Sequence, residues 1–570
     1  MPFTHVEIEE RTTRTIAALF LFLVVLYTVS LVALVGGIKF FLGLERVAGQ
    51  RAWQRLLTPL ELAQVLGVSL TLSGLHWVFS THQLFERVQT AIGGMPLDAR
   101  DSYHTKLSHI VQEVSIATGG RPIEPYVINT PAVNACAWTD FAGRAAIAVT
   151  EGALARLSRA QLESVIGHEA AHVVSGDSLT TSVFCGLFAL HEEALKRLAK
   201  LLGSSDDVRG ESGGRLGVVI FFAWAVLQAT VGMKTLCEML ISREKEYRAD
   251  AVAVRLTRNP LALAEALSIL SRRWRGVGTR GESLSSIFIM DPGAESLSER
   301  EGLFAEWFST HPPTDRRIGL LLGMAHLDPE RFSEQASTSL RRFPPRSLPA
   351  PVKPDEGDPR WMVWEDGQWR GPFGLAETMG VKQLVPESWV RRVGEDITRP
   401  AHQDALLLEA FRQRYAKAAE SPHRLECPRC RLGLAMVLYE GAPIEECPAC
   451  HGCYVESNTM TRLFCRQEYD FPEPVKRLGD ALLSEEGYAL ARQHLRARRQ
   501  ISAGRSCPRC GAAVLRKYYT DAYPVEVEQC WECGLAWLDD QERELLQYLY
   551  EKRERHLVDE RGPKGRLSDC

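Results

Sequence analysis

Ser158-Arg159-Ala160-Gln161-Leu162-Glu163-Ser164-Val165-Ile166-Gly167-His168-Glu169-Ala170-Ala171-His172 is the stretch on which the reading of this chain turns. Ser158 and Gln161 make a capping box, and apolar Leu162, Val165 and Ile166 follow, so the segment is expected to be helical. Residues four apart on a helix share a face, so His168 and His172 can aim two imidazoles at one metal ion with Glu169 beside it. That is the arrangement of a zinc hydrolase. A catalytic zinc also needs a third protein ligand and keeps one position for water. Ser242-Arg243-Glu244-Lys245-Glu246-Tyr247-Arg248-Ala249-Asp250 supplies a candidate, because Glu246 and Asp250 again lie four apart. Glu246 is expected to be the third ligand, and Asp250 to hydrogen-bond the other nitrogen of a ligand histidine.

Working outward, 570 residues are too many for one core. The net charge of -4, with both signs abundant, points to neither a nucleic-acid partner nor an acidic substrate. Thr15 to Ile38 and Leu62 to Phe85 carry no Asp, Glu, Lys or Arg, and each can cross a hydrocarbon layer that needs roughly 20 apolar residues. Glu7, Glu9 and Glu10 in the leader argue against a cleaved signal peptide. A third apolar run, Leu216 to Met233, separates the two candidate ligand segments. His172 and Glu246 must meet in one compartment, so the chain between them crosses an even number of times. Residues from about 178 to 200 are the only partner for that second crossing, although Glu192, Glu193, Lys196 and Arg197 interrupt them. Four crossings are expected, with the amino terminus on the catalytic side.

Of 14 cysteines, eight fall in two similar blocks: Cys427, Cys430, Cys447 and Cys450, then Cys507, Cys510, Cys530 and Cys533. Paired C-x-x-C knuckles are what a tetrahedral four-thiolate zinc site requires. Cys427-Pro428-Arg429-Cys430 recurs as Cys507-Pro508-Arg509-Cys510, and each second knuckle leads through Tyr454 or Trp537 toward acidic residues. Cys453 stands where the second block has Ala536 and reads as a buried thiol outside the ligand set. Thiolates that hold zinc need a reducing compartment, so tail and catalytic side should face the cytosol. Between the two regions, Pro344 to Pro359 reads as a linker. Trp361, Trp364 and Trp369, with Gly371-Pro372-Phe373, then form an aromatic cluster, either a peptide groove or simply a small core.

On these residues the region from about Thr15 to Leu327 resembles the integral-membrane zinc metalloproteases that include bacterial HtpX and the CaaX prenyl proteases. The likeness also takes in Thr310-His311-Pro312-Pro313 leading to Arg317, and Asn134-Ala135-Cys136-Ala137 followed by Ala146 to Thr150. It implies that His311 and Arg317 act catalytically by stabilising the oxyanion, and that Asn134 and Ala135 belong to an edge strand that receives the substrate backbone. Leu425 to Tyr454 and Ser506 to Leu545 are similar to transcription-factor-IIB-like zinc ribbons, and the Trp361 region is similar to GYF-like domains. The long carboxy-terminal extension departs from the bacterial heat-shock type.

The expected fold is that of a mainly α membrane protein: an α+β metalloprotease domain of the gluzincin type with transmembrane helices, plus small β-rich zinc-ribbon domains. The expected order is a transmembrane hairpin over 1–85, the protease domain over 86–330 with a second membrane hairpin at about 178–240, and a linker over 331–357. A GYF-like domain over 358–405, ribbon 1 over 425–466, a helical connector over 467–505 and ribbon 2 over 506–560 complete it. The expected function is a zinc endopeptidase acting on membrane or membrane-proximal polypeptides, with one catalytic and two structural zinc ions. The lipid bilayer and a protein partner for the tail are its other expected partners; nucleic acid is disfavoured. The competing reading is a non-enzymatic membrane scaffold whose ribbons bind protein or nucleic acid. Glu169 argues against it, since ligation alone does not need that carboxylate.

Overall fold

The computed structural model describes residues 5–44, 58–188, 244–273, 287–290, 312–328 and 331–332, and most of 359–410, 425–484 and 501–559. His311, Cys430, the apolar run Leu216 to Met233 and most of the expected second hairpin and linker lie outside the described residues. The chain divides into two compact units. The first comprises Met1–Pro96, Leu107–Ala153 and Leu157–Ala336, and the second Leu97–Lys106, Leu154–Arg156 and Ser337–Cys570.

The first unit opens with two packed helices, His5–Leu44 and Pro59–Thr81. Thr58 caps the second in a capping box with Glu61, and Pro59 takes the first helical position, where no N–H is needed. Both helices are long and apolar enough to cross a membrane, over Glu10–Gly36 and Pro59–Thr81. The burial of the second is inverted relative to a water-soluble helix. On the second, Ser69, Ser73, His76 and Ser80 are the residues turned inward with Val65, while Leu70, Leu75, Val78 and Phe79 are exposed. His76 shares a 2.8 Å hydrogen bond with the Tyr27 hydroxyl through Nδ1 and makes another of 2.8 Å with the Leu187 carbonyl through Nε2. Small and polar residues inside with apolar ones outside are what a lipid solvent selects. The second helix stops at Thr81, earlier than the uncharged run to Phe85 suggested. Gln83 is left-handed at φ 52°, and a separate helix, Leu84–Ile92, buries Leu84, Phe85, Val88 and Ile92 in the core of this unit.

A four-stranded sheet follows, built from β1 (Gly94–Pro96), β2 (Ile123–Ile128), β3 (Ala135–Thr139) and β4 (Ala145–Thr150) in the order β1-β2-β4-β3. β2 and β4 are parallel and the other pairs antiparallel. Every residue of β3 and β4 is buried, as continuous apolar strands covered on both faces must be. Trp138 on β3 packs against Phe85 and Tyr126, with ring centroids 5.5 and 5.4 Å away.

Among the described residues, the second unit holds two sheets. β5 (Trp361–Glu365), β6 (Gln368–Phe373), β7 (Trp389–Arg392) and β8 (Thr398–Pro400) run in the order β6-β5-β7-β8. Trp361 is fully buried in the core of this sheet, whereas Trp364 is 43% exposed and stands edge-on to Trp369, so the aromatic cluster is half core and half surface. The other sheet has seven strands: β9 (Ala435–Tyr439), β10 (Ala442–Glu446), β11 (Cys453–Val455), β12 (Ile501–Ser506), β13 (Ala513–Thr520), β14 (Tyr523–Cys530) and β15 (Ala536–Leu538). Their order is β12-β13-β14-β15-β11-β10-β9. The two cysteine blocks, expected as separate domains, therefore share one sheet, because β11 pairs antiparallel with β15. The expected helical connector is helical over Glu473–Leu483, but its last residues belong to β12, paired with β13.

A candidate metal centre and its supports

Ser158 accepts from the Gln161 amide, and the Gln161 side chain accepts from the Ser158 amide at 2.9 Å, which starts the helix Arg159–Val174 where the capping box places it. This helix is buried on nearly every side, with Leu162, Val165, Ile166, His168, Glu169 and Ala170 all inside. Against it lies the helix 244–257. A Cβ on Gly167 would come within 3.4 Å of the Thr257 methyl, and Ala253 lies next to it, so small residues set the close crossing. The crossing brings His168, His172 and Glu246 together. The two imidazole Nε2 atoms are 3.2 Å apart, and each is 3.5 Å from a Glu246 carboxylate oxygen. Ligands about 2.05 Å from a tetrahedral zinc ion lie about 3.3 Å from one another. The two imidazole nitrogens fit such an ion as they stand, and Glu246 offers a carboxylate oxygen within the same cluster.

Behind the ligands, Asp250 Oδ1 lies 2.9 Å from His168 Nδ1, which leaves Nε2 as the coordinating nitrogen. Arg317 comes from the helix Thr314–Ala325 and donates Nε and Nη2 to Asp250 at 2.8 and 2.7 Å, while Nη1 sits 3.1 Å from Glu246. Burial alone would lift the Asp250 carboxyl, but Arg317 and the His168 hydrogen bond outweigh it and hold its pKa at about 2. At 1% exposure and gripping Asp250, Arg317 stands behind the ligands instead of at a substrate position. The expectation that it stabilises an oxyanion is revised accordingly: its contacts orient the two carboxylates and offset part of their charge. Glu169 is 2% exposed, and its Oε1 has no hydrogen-bond partner among the described residues. Burial lifts its pKa, with His168 and His172 opposing and Glu246 reinforcing the rise. A buried carboxylate that lacks a partner beside a preformed donor set is suited to taking and giving a proton.

Asp177 is a support the sequence reading missed. The chain turns at Gly176, whose φ of 75° suits glycine, and Asp177 then receives Ser175 Oγ at 2.6 Å, Arg248 at 2.5 Å and Lys245 at 3.3 Å. Lys245 and Arg248 flank Glu246, so this carboxylate ties the two ligand helices together. Its only trace in the sequence is an acid five residues after His172, facing a mixed-charge segment.

Ala135 opens the edge strand β3 and Asn134 directly precedes it, but that edge is occupied there by the chain itself. Cys136 pairs with Phe288, the Ile289 backbone amide donates to the Ala135 carbonyl at 3.0 Å, and the Asn134 side chain donates through Nδ2 to the Met290 carbonyl at 2.8 Å. Ile287 and Phe288 are buried in the core of this unit, which is the force that draws the segment in. The expectation of an open edge at these two residues is corrected on that ground.

In the tail, the four cysteines of the second block have sulfurs close enough for one ion, with Cys507–Cys533 at 3.6 Å and Cys510–Cys530 at 3.4 Å. In the first block Cys427, Cys447 and Cys450 converge, with Cys427–Cys450 at 3.6 Å. A tetrahedron with bonds of about 2.3 Å puts thiolates about 3.8 Å apart. Both blocks fit. Cys453 is buried in the core shared by the two blocks, with Arg543 Nη1 3.9 Å from its sulfur.

Residues 101–325 match Peptidase family M48. The chain is 33% identical over 222 residues to a protease HtpX homolog of Tropheryma whipplei, covering 39% of this chain and 73% of that protein. It is 34% identical over 227 residues to a protease HtpX homolog of Pyrococcus abyssi, covering 39% and 73%. A protease HtpX homolog of Bifidobacterium longum is 31% identical over 268 residues, covering 46% and 84%. No solved structure matches the chain.

Proposed function

Because the chain belongs to peptidase family M48, among the HtpX-like proteases, we propose that it is a zinc-dependent endopeptidase that cleaves membrane or membrane-proximal polypeptides. The observation that carries this is the convergence of His168, His172 and Glu246 to 3.2–3.5 Å, backed by Asp250 and Arg317. Zinc held there would polarise the scissile carbonyl and lower the pKa of a water toward about 7. Glu169 would take that proton and deliver it to the leaving amine. Arg317 would fix Glu246 and Asp250 and offset part of their charge, and His311 would stabilise the oxyanion. The receiving edge for substrate would be the protease sheet as extended by Ile287–Met290, with Asn134 holding that segment in register.

The inverted burial of Pro59–Thr81 supports reading the two amino-terminal helices as membrane spans. The eight tail cysteines support a reducing, cytosolic compartment for the tail and for the catalytic side. The tail would hold two structural zinc ions in its ribbons and, with the GYF-like sheet, recruit a protein partner. The scaffold reading gains only if the metal centre proves inert. Purified protein should cleave an unfolded polypeptide, and Glu169→Gln at equal zinc content should lose about 100-fold or more. Equal cleavage by both would overturn the assignment. Metal analysis should find three zinc ions in the full chain and one after deletion of the tail; two in the full chain would leave the protease centre empty.

A further inference from the structure

The two cysteine blocks are built into each other. All four knuckles share one local geometry, in which the amide of the first cysteine donates to the carbonyl five residues on: Cys427 to Leu432, Cys447 to Gly452, Cys507 to Ala512 and Cys530 to Leu535, each at 2.8 Å. The contacts that complete each block come from the other. Trp537 of the second block is buried in the cluster formed by Cys427, Leu434 and Cys447 of the first. Tyr454 of the first packs against Cys507, Val514, Cys530 and Leu535 of the second. The two rings meet edge to face across the β11–β15 pairing, centroids 4.9 Å apart. Side-chain size is matched across this axis, since a Cβ on Gly452 would stand 2.3 Å from the Trp537 ring. The arginines cross as well. Arg429, inside the first knuckle of block one, pairs with Asp539, the acid after β15; Arg509, at the same place in block two, pairs with Glu456, the acid after β11.

We propose that the two blocks are one cooperative two-metal unit, in which filling either site assembles the other. The proposal rests on the zinc reading of these cysteines given above and goes beyond it in coupling the sites. Each block alone is too small to bury a core and gains order from its metal. Here the apolar floor of each thiolate cluster is an aromatic ring delivered by the partner block. That ring is in place only when the partner's second knuckle, whose last cysteine stands four residues before it, is closed. Metal loss at one site thus withdraws the floor, the strand pairing and the arginine of the other. The second block presents Cys510 and Cys533 at the surface, while Cys427 and Cys447 are buried, so a chelator reaches the second site first and the first site follows.

The test is a chelator titration of the full chain in detergent, following zinc release and cysteine alkylation mapped by mass spectrometry. Cys427 and Cys447 should become reactive at the same chelator concentration as Cys507 and Cys530, with two ions released in a single step. Two separated steps would overturn the coupling, and a tail that carries no zinc at all would overturn the zinc reading beneath it. Exchanging Cys510 and Cys533 for serine should remove both tail ions; loss of one, with first-block affinity within twofold of wild type, contradicts the proposal. Trp537→Ala should weaken the first site, to which it does not belong by sequence, by about tenfold or more, the scale on which supporting contacts alter metal affinity. Trp537→Phe should restore most of that, whereas weakening confined to the second site counts against the exchange.

Discussion

At Arg317 one cation meets Asp250 and Glu246 inside a site with almost no solvent, and the balance of charge there governs how firmly metal is held. Arg317→Ala should leave two buried carboxylates facing each other. Zinc retention, measured by chelator competition, should fall about 10- to 100-fold, with activity falling in parallel. Arg317→Lys restores the charge but not the two-pronged grip and should recover only part of the loss. The ligands themselves were legible in the sequence because a helix repeats every 3.6 residues, so His168/His172 and Glu246/Asp250 each had to share a face. The inward placement of Arg317 was not legible. Its spacing from His311 says nothing about which side of the ligand shell the helix Thr314–Ala325 approaches.

Elements carry three consequences of their own. The helix Pro59–Thr81 turns Ser73 inward at 0% exposure and Leu70 outward at 56%. Ser73→Leu should therefore overpack the helix pair and cost roughly 1–3 kcal/mol, whereas Leu70→Ile should be nearly neutral; thermal unfolding in detergent distinguishes them. Composition alone marked this helix as apolar, but not its inverted orientation, since that depends on Tyr27 and on the Leu187 carbonyl from distant segments. On the protease sheet, Asn134→Ala removes the side-chain bonds to Met290, and Phe288→Ala opens a cavity where the side chain is 0% exposed. The second should cost about 3–5 kcal/mol and lower the melting temperature of the first unit. The first should loosen Ile287–Met290, read as faster amide exchange there. In the aromatic sheet, burial opposes the charge of Asp404, but Arg392 and the Trp361 indole outweigh it and set its pKa below the ordinary value. A lowered carboxyl pKa stabilises at pH above the unfolded value of about 4, and that stability is lost as pH falls through the folded value. Tryptophan fluorescence should report acid unfolding of this sheet below about pH 4, and Asp404→Asn should be less stable at neutral pH with a weaker pH dependence.

For the molecule as a whole, the sequence by itself determined the parts whose physics is local. These are the capped helix with its paired imidazoles, the second helix with paired carboxylates, the two long apolar helices, and the knuckles whose C-x-x-C spacing places two thiolates on one turn. Each rests on geometry within a few residues, so nothing farther along the chain could change it. Only the tertiary structure decided what those parts face. Gly167 and Ala253 let the ligand helices touch, and Asp177 ties them together. The buried Ile287 and Phe288 bring their segment onto β3 at Asn134 and Ala135. Two repeats that read as independent beads close into one sheet because β11 and β15 each leave an edge that the other satisfies. These outcomes come from side-chain volume, charge and backbone donors meeting between segments far apart in the chain, and no periodicity in the chain encodes such a meeting.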